Sequence, residues 1–402
     1  MDKLQKTFVA GETLHAADLN DVVGKVNEAV DEINILAAEN MTDTIYLDFT
    51  KISPSQIVTG DINGDVIKWI RNNSHRYLAK KTDEGKMTIC QLSDGDGTVF
   101  AGDGSSAARD GSQGDVMVRI PRFYYHVQEL SADKWEIDFS LVKISEEWQE
   151  YDGQQLIGAY EAYVDGGKVY SRSGVDSTGN VSQANFKSYA RARGNGYTIV
   201  TWEQHCVMAI LYYAEYGNTN CQAQIGSGTD FYQKQTGQTD SLGMADTHAG
   251  TDGNTMSINF WGLENWWGNK AEWVDNVVVN PSSVNGVWRI TDKDGHSRDV
   301  QGFASPTAEW VYPKSVVLGQ HLDMVGKTLG GSTSSGLCDG QYLGASTSRA
   351  IFRSHFNASA YGGVASANAY YDSLIMDAYI GSRLAFAGEI HIETDVNAFK
   401  AL

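Results

Sequence analysis

The chain has 402 residues, enough for two or three domains and a sizeable core. Its formal net charge of −19 argues against a nucleic-acid partner, whose phosphates need clustered Lys and Arg. With 42 glycines, 20 tyrosines and only 20% charged residues, the composition excludes a disordered chain and suits a turn-rich, aromatic-rich fold.

No window approaches the ~18 consecutive apolar residues of a membrane span. The N-terminus lacks the apolar run of a signal peptide and carries no lipidation motif, so synthesis in a cytoplasm without membrane insertion is expected. Cys90, Cys206, Cys221 and Cys338 are far apart and form no C-x-x-C pair. They read as buried thiols, and neither a metal nor a cofactor is expected.

Taken in order, residues 16 to 39 form the clearest helix. Leu19, Val23, Val26, Val30, Ile33 and Ala37 make a heptad seam, and Val22, Ala29 and Leu36 widen it. Asn20, Asn27 and Asn34 recur every seven residues beside that seam. A helix of this size is marginal alone, so its face needs partners. It packs either on its own domain or, the preferred reading, in a parallel trimer.

Residues 44 to 113 read as a small β-rich domain. TIYLDFT and KMTICQL alternate as strands, and VIKWIRNN between them has helical spacing. Asp61-Ile62-Asn63-Gly64-Asp65 resembles an EF-hand loop, but its glycine is misplaced and position twelve is Asn72, so a turn is expected. The Gly/Asp-rich run 94 to 114 reads as a boundary.

From residue 114 a second domain is expected to run to 402. GDVMVRIPRFYYHV is a strand pair broken at Pro121, Gly158 to Tyr163 reads as a strand, and Phe186 to Arg193 as a short helix. Thr201 and Gln204 form a capping box that opens a helix to Tyr216, with Trp202, Cys206, Ile210 and Tyr213 buried and Gly217 ending it. His205 beside Cys206 suggests a nucleophile pair, but helix neighbours diverge by about 100° and cannot act together. Residues 280 to 345 contain hairpins, one turning at Asp294-Gly295. Gly330 to Gly336 is a loop without the Lys of a phosphate cradle.

The chain is organised around Ser257 to Asn276, SINFWGLENWWGNKAEWVDN. It holds Trp261, Trp266, Trp267 and Trp273 around Gly262 and Gly268. Flat side chains beside residues that allow close backbone approach make a compact knot and not a regular element. AEWVDNVVV, residues 271 to 279, then leaves it as a strand.

The run Gly262-Leu263-Glu264-Asn265, Trp267-Gly268-Asn269, Glu272-Trp273-Val274 resembles the centre of the C-type-lectin fold. It is the version shared by formylglycine-generating enzymes, retroelement-diversified variable proteins and many phage tail proteins. Gly381-Ser382-Arg383-Leu384-Ala385-Phe386 resembles that fold's closing strand. GDVMVRIPRFYY is similar to strings in tail proteins with lectin-like C-terminal parts. Phe8 to Leu14 with Ala16 to Asn20 resembles the start of phage tail-fibre proteins, where such segments join fibre to tail or bundle three chains. The resemblance implies an α+β fold: an N-terminal attachment segment and coiled coil (1 to 43), a small β-rich domain (44 to 113) and a C-type-lectin-like domain (114 to 402). It also implies a place in a virion, at a tail tip or fibre, and contact with other tail proteins through the N-terminus.

Ser346 to Tyr379 is rich in Ser, Ala, Asn, Tyr and Gly, the chemistry of antibody-like contact loops. It lacks Lys, Glu, Gln and Trp, and these, with Met, are the residues that codons ending in a pyrimidine cannot encode. Only Met376 breaks the pattern. That bias is what adenine-directed mutagenesis of Asn-type codons leaves, and the segment stands where the diversified proteins carry their variable region. The bland alternative is a small-residue, Tyr-rich β region with no such history. The candidate contact residues are Ser348, Phe352, Ser354, His355, Phe356, Asn357, Ser359, Tyr361, Asn368, Tyr370, Tyr371, Asp372, Leu374, Asp377 and Tyr379.

No enzyme is expected. The formylglycine-generating branch works through a cysteine pair late in the domain, and Cys338 stands alone there. No nucleophile elbow, H-E-x-x-H or P-loop is present. The calcium-binding loop motifs of sugar-binding lectins are absent too, and Trp273-Val274-Asp275-Asn276 is only a loose echo of one. Two readings are left: a receptor-binding protein that meets a bacterial surface protein or glycan, and a structural tail or baseplate part. A fixed virion partner has no need of a Tyr/Ser/Asn-rich face with that codon bias, which favours the first. If the N-terminal seam drives assembly, light scattering of the full chain gives a mass of about three protomers. Deleting residues 1 to 40 should then weaken the assembly, whereas an intact chain that is monomeric at micromolar concentration rules the trimer out.

Overall fold

Alternating strands from the first half of the chain build a five-stranded sheet. The computed structural model describes residues 41–82, 86–230, 235–250, 256–280, 285–344 and 348–402. The expected helix at 16 to 39, and with it the trimer seam, lies outside the described residues. Thr42–Asp48 pairs with Lys134–Ser140 in a five-stranded sheet, with Ile45 and Leu47 turned inward and fully buried. The helix expected from VIKWIRNN spans Asp65–Asn72 and buries Val66, Ile67 and Ile70. The Asp43 carboxylate accepts the Ile67 N–H at 2.8 Å, serving a helix start that its Gly64 N-cap leaves bare.

A seven-stranded sheet then joins what the glycine-rich run at 94 to 114 was expected to separate. Its order is Tyr197–Ile199, Leu384–Ala387, Gln155–Gly158, Asp115–Arg119, His75–Lys81, Met87–Gln91 and Ile390–Ile392. Leu78 pairs with Val116, so strands on either side of residue 113 share one ladder. Arg76 leaves this sheet to donate to the Gly262 carbonyl at 2.6 Å and to Asn259 at 2.8 Å. The run at 94 to 114 is a connection within that packing, anchored by the buried Phe100 and Ala107, because turn-rich composition reports a loop and not what the flanking strands pair with.

The capping box forms as expected. Thr201 accepts the Gln204 N–H, Gln204 accepts the Thr201 N–H, and Gly217 closes the helix Trp202–Tyr216 at φ 60°. Its burial is wider than one face, running from Gln204 through Ala214. His205 and Cys206 do not cooperate: the imidazole Nδ1 accepts from the Arg353 Nε at 3.3 Å, and burial raises the Cys206 thiol pKa well above its usual range. The stretch Gly158 to Tyr163 is not a strand. The ladder stops at Gly158, and Ala159 through Ala162 run buried and irregular. There the Ala162 N–H donates to the Ser382 carbonyl and the Tyr160 N–H to the Ser171 hydroxyl.

At the tryptophan knot, Ile258–Phe260 and Leu263–Glu264 pair around Trp261 (φ 51°) and Gly262 (φ 75°). A Cβ on Gly262 would run into Met244 and Arg76, so glycine is required there. All four tryptophans are fully buried. Arg353 lies over the Trp266 ring at 3.6 Å, and beside it sits a completely buried ion triad. The Glu272 carboxylate bonds Arg353 at 2.8 Å and Arg383 at 2.7 Å, all three with no exposure. Arg383 also donates to the carbonyls of Gly158, Glu264 and Asn265. The described residues are mostly β with few helices. Glu272→Gln strands two buried guanidinium groups, and equilibrium denaturation should report a loss of ~3–5 kcal/mol. Trp267→Ala should lose a similar amount, ~3–5 kcal/mol, by opening a cavity. Parent-like unfolding in both would mean that the knot is not the core.

Candidate functional site

Strand alternation sends consecutive residues of 349 to 353 to opposite faces. Arg353 and Ile351 enter the core with the ion triad, and Phe352 stands on the other face. The sheet carrying them runs, in order, Ser297–Gln301, Val287–Thr291, Ala271–Asn280, Arg349–Arg353, Ala367–Ala369, Gln341–Leu343 and Trp310–Val311. Its pairings put Trp273 opposite Phe352, Phe352 opposite Asn368, Asn368 opposite Tyr342, and Tyr342 opposite Trp310. Residues in register share a face. One row across five strands thus lays down a largely aromatic floor. Trp273 and Phe352 meet edge to face at 5.6 Å, as do Trp310 and Tyr342 at 6.2 Å.

Beyond this floor the chain turns out at Ser354, returns at Ala367, and leaves again through 370 to 379. These loops raise the walls of a groove of about 380 Å³. Eight candidate residues line it: Phe352, His355, Phe356, Asn368, Tyr370, Tyr371, Asp377 and Tyr379. Phe356 packs on Tyr379 at 4.6 Å, and Tyr370 meets both Tyr371 and Tyr342. Tyr361 stands behind the wall, stacked on Trp310 at 5.3 Å and Tyr312 at 5.0 Å.

The remaining candidates fall elsewhere. The Asn357 amide oxygen accepts from the His355 Nδ1 at 3.0 Å, and the Ser359 carbonyl takes a bond from Gln222. Ser348 and Leu374 are exposed, and Asp372 accepts the Leu374 N–H within its own turn. Ser354 is not a surface residue. It is fully buried at φ 62°, and its hydroxyl accepts the Gly268 N–H, because the chain crosses under the knot there before emerging. Trp310 and Tyr342 belong to the groove and were missed, since they lie in the 280 to 345 stretch that read only as hairpins.

The loop is held from beneath. The Asp339 carboxylate, fully buried, accepts the Ala365 N–H at 2.8 Å, and the Cys221 sulfur accepts the Val364 N–H at 3.2 Å. A Cβ on Gly363 (φ 140°) would collide with Asp339. Val364 through Ala367 are buried, so the exposed residues ride on a fixed base. Among the described residues there is no cluster of His, Cys, Asp and Glu fit to hold a metal ion, and no helix is long and apolar enough to cross a membrane. Two larger clefts, of about 700 and 780 Å³, contain none of the candidate residues.

No protein-family model matches this chain, and no curated protein matches it. Among solved structures, the Major Tropism Determinant U1 variant is similar over 78% of this chain and 72% of that chain, at 14% identity and a TM-score of 0.29. The M1 variant gives 79% and 73% coverage, 14% identity and 0.30. The P3c variant gives 78% and 72%, 12% identity and 0.28. Superpositions this loose transfer no residue role, and the site is read from its own geometry.

Burial lowers the His355 pKa from an ordinary 6.5 to about 4. Between those values the unfolded chain binds a proton that the folded chain does not, so stability is complete above pH 6.5 and falls as pH drops toward 4. His355→Phe keeps the ring contacts with Phe356 and Trp310 and removes the titration. The stability lost between neutral pH and pH ~4.5 should shrink by ~1–3 kcal/mol in that variant. Superimposable pH profiles for parent and variant would place His355 in open solvent.

Proposed function

We propose that this chain is a receptor-binding protein of a phage tail, which attaches the virion to a bacterial surface protein or glycan through the aromatic groove and its rim. The observation that carries this is the groove itself. Eight residues singled out by composition converge on one concave face, floored by strands that are pinned from the opposite side of the sheet. Rigid aromatics with small polar neighbours are the make-up of contact surfaces, because Tyr and Trp bring large area at low rotamer cost.

The same division supports diversification of the segment. Substitution would fall on Phe356, Asn357, Tyr370, Leu374 and Tyr379, which are at least partly exposed, while Arg353, Ser354 and Gly363 to Ala367 stay constant. Assembly as a trimer through the N-terminal segment, joined to other tail proteins, would multiply a modest single-site affinity. A near-copy of the 346 to 379 coding segment, differing at adenines and lying beside a reverse-transcriptase gene, is the genomic mark of that history.

Phage carrying Phe356→Ala, Tyr370→Ala and Tyr379→Ala together should adsorb to host cells at least ~100-fold less well, at ~1–3 kcal/mol per contact. Their melting temperature should stay near the parent's, since Tyr370 and Tyr379 are 48% and 44% exposed. Normal adsorption would move recognition to another surface. Unfolding would make these rings core.

A further inference from the structure

Seven aromatic side chains besides His355 line the groove: Trp310, Tyr342, Phe352, Phe356, Tyr370, Tyr371 and Tyr379. Asp377 is the one acidic group among the described lining residues, and no Lys or Arg joins it there. Its carboxylate is held by the Tyr379 N–H at 2.8 Å and the Tyr371 hydroxyl at 3.3 Å. A carboxylate has roughly four acceptor positions, so about two are left for a further donor. Burial lowers the His355 pKa to about 4, so at pH 7 the ring is neutral and brings no opposing charge. Arg349 acts on Tyr342 from outside the lining.

Ring faces are electronegative, and several of them around one carboxylate form a box for a cation. We propose that the groove takes an arginine side chain displayed by a protein on the host surface. This rests on the receptor-binding reading above and names the chemistry of the contact. Arginine fits better than a compact ammonium for two reasons. Its plane can stack on Trp310 or a tyrosine face, and its forked donors match the carboxylate of Asp377. A groove of about 380 Å³ also holds the whole side chain with its aliphatic stem, not an ammonium head alone. The chain's net charge of −19 would draw such a cation from a distance.

The test uses the full chain and blocked tripeptides, Gly-X-Gly, with X as arginine, citrulline, leucine or lysine. Citrulline keeps arginine's shape and lacks its charge. Binding is followed by calorimetry and by the fluorescence of Trp310, with Trp310→Phe assigning the signal. The arginine peptide should bind at least ~tenfold more tightly than citrulline or leucine. Its advantage should shrink as salt rises, and Asp377→Asn should cut it to within ~twofold. Asparagine keeps an acceptor for the Tyr379 N–H, and Tyr370→Leu, which keeps bulk but removes a ring face, gives a second check should Asp377→Asn misfold. Equal binding of citrulline or leucine, tighter binding of lysine, or no saturable binding of arginine would overturn the proposal. If peptides fail to discriminate while the triple aromatic variant still loses adsorption, the receptor reading stands and the arginine assignment falls. If arginine binds selectively but adsorption is unaffected in that variant, the reverse holds.

Discussion

The floor of the aromatic groove depends on a charge buried on the other side of its sheet. Glu272 sits without exposure between Arg353 and Arg383, and neither guanidinium reaches water. Desolvating such groups is expensive, and the cost is offset only if every donor finds an acceptor. The structure supplies them. Arg383 ties the Gly158 carbonyl to the knot carbonyls of Glu264 and Asn265, while Arg353 bonds Trp266 and lies across its ring. Burial lowers the Arg353 pKa to about 10, which still leaves it protonated at neutral pH.

The triad also sets register. Arg353 and Phe352 are neighbours, so fixing one in the core holds the other on the groove floor. A slip of one residue would push a guanidinium into the groove and a phenyl ring against Glu272. Under the proposed diversification, this would let the face vary while its strand stays fixed. The buried stretch from Gly363 to Ala369, where the chain returns to the sheet, separates the partly exposed residues 356 to 361 from those at 370 to 379. Asp339 and Cys221 clamp that return from below.

Local patterns were legible in the sequence wherever the physics is local. The capping box of Thr201 and Gln204, the strand from Ala271 and the turn at Asp294-Gly295 all appear at the expected places. Long-range pairing was not legible. Trp310 and Tyr342 reach the groove only because Gln341–Leu343 runs parallel to Ala367–Ala369, and no spacing rule announces that ladder. Ser354 looked like any other loop serine, and its burial depends on the Gly268 N–H, 86 residues away. The boundary near residue 113 failed for the same reason. Glycines and aspartates mark where a chain turns, but the partner of Leu78 lies beyond them.

One consequence concerns the sulfur beneath the loop. Cys221 is fully buried and accepts the Val364 N–H, and burial keeps its thiol protonated. A thiol in that state is inert to alkylating reagents until the backbone above it lifts away. Its labelling rate therefore works as a built-in gauge of how often the loop at 354 to 367 breathes, with no probe attached to the groove. A receptor that clamps the loop would slow that clock, while one that only touches the outer rim would leave it running at its resting pace.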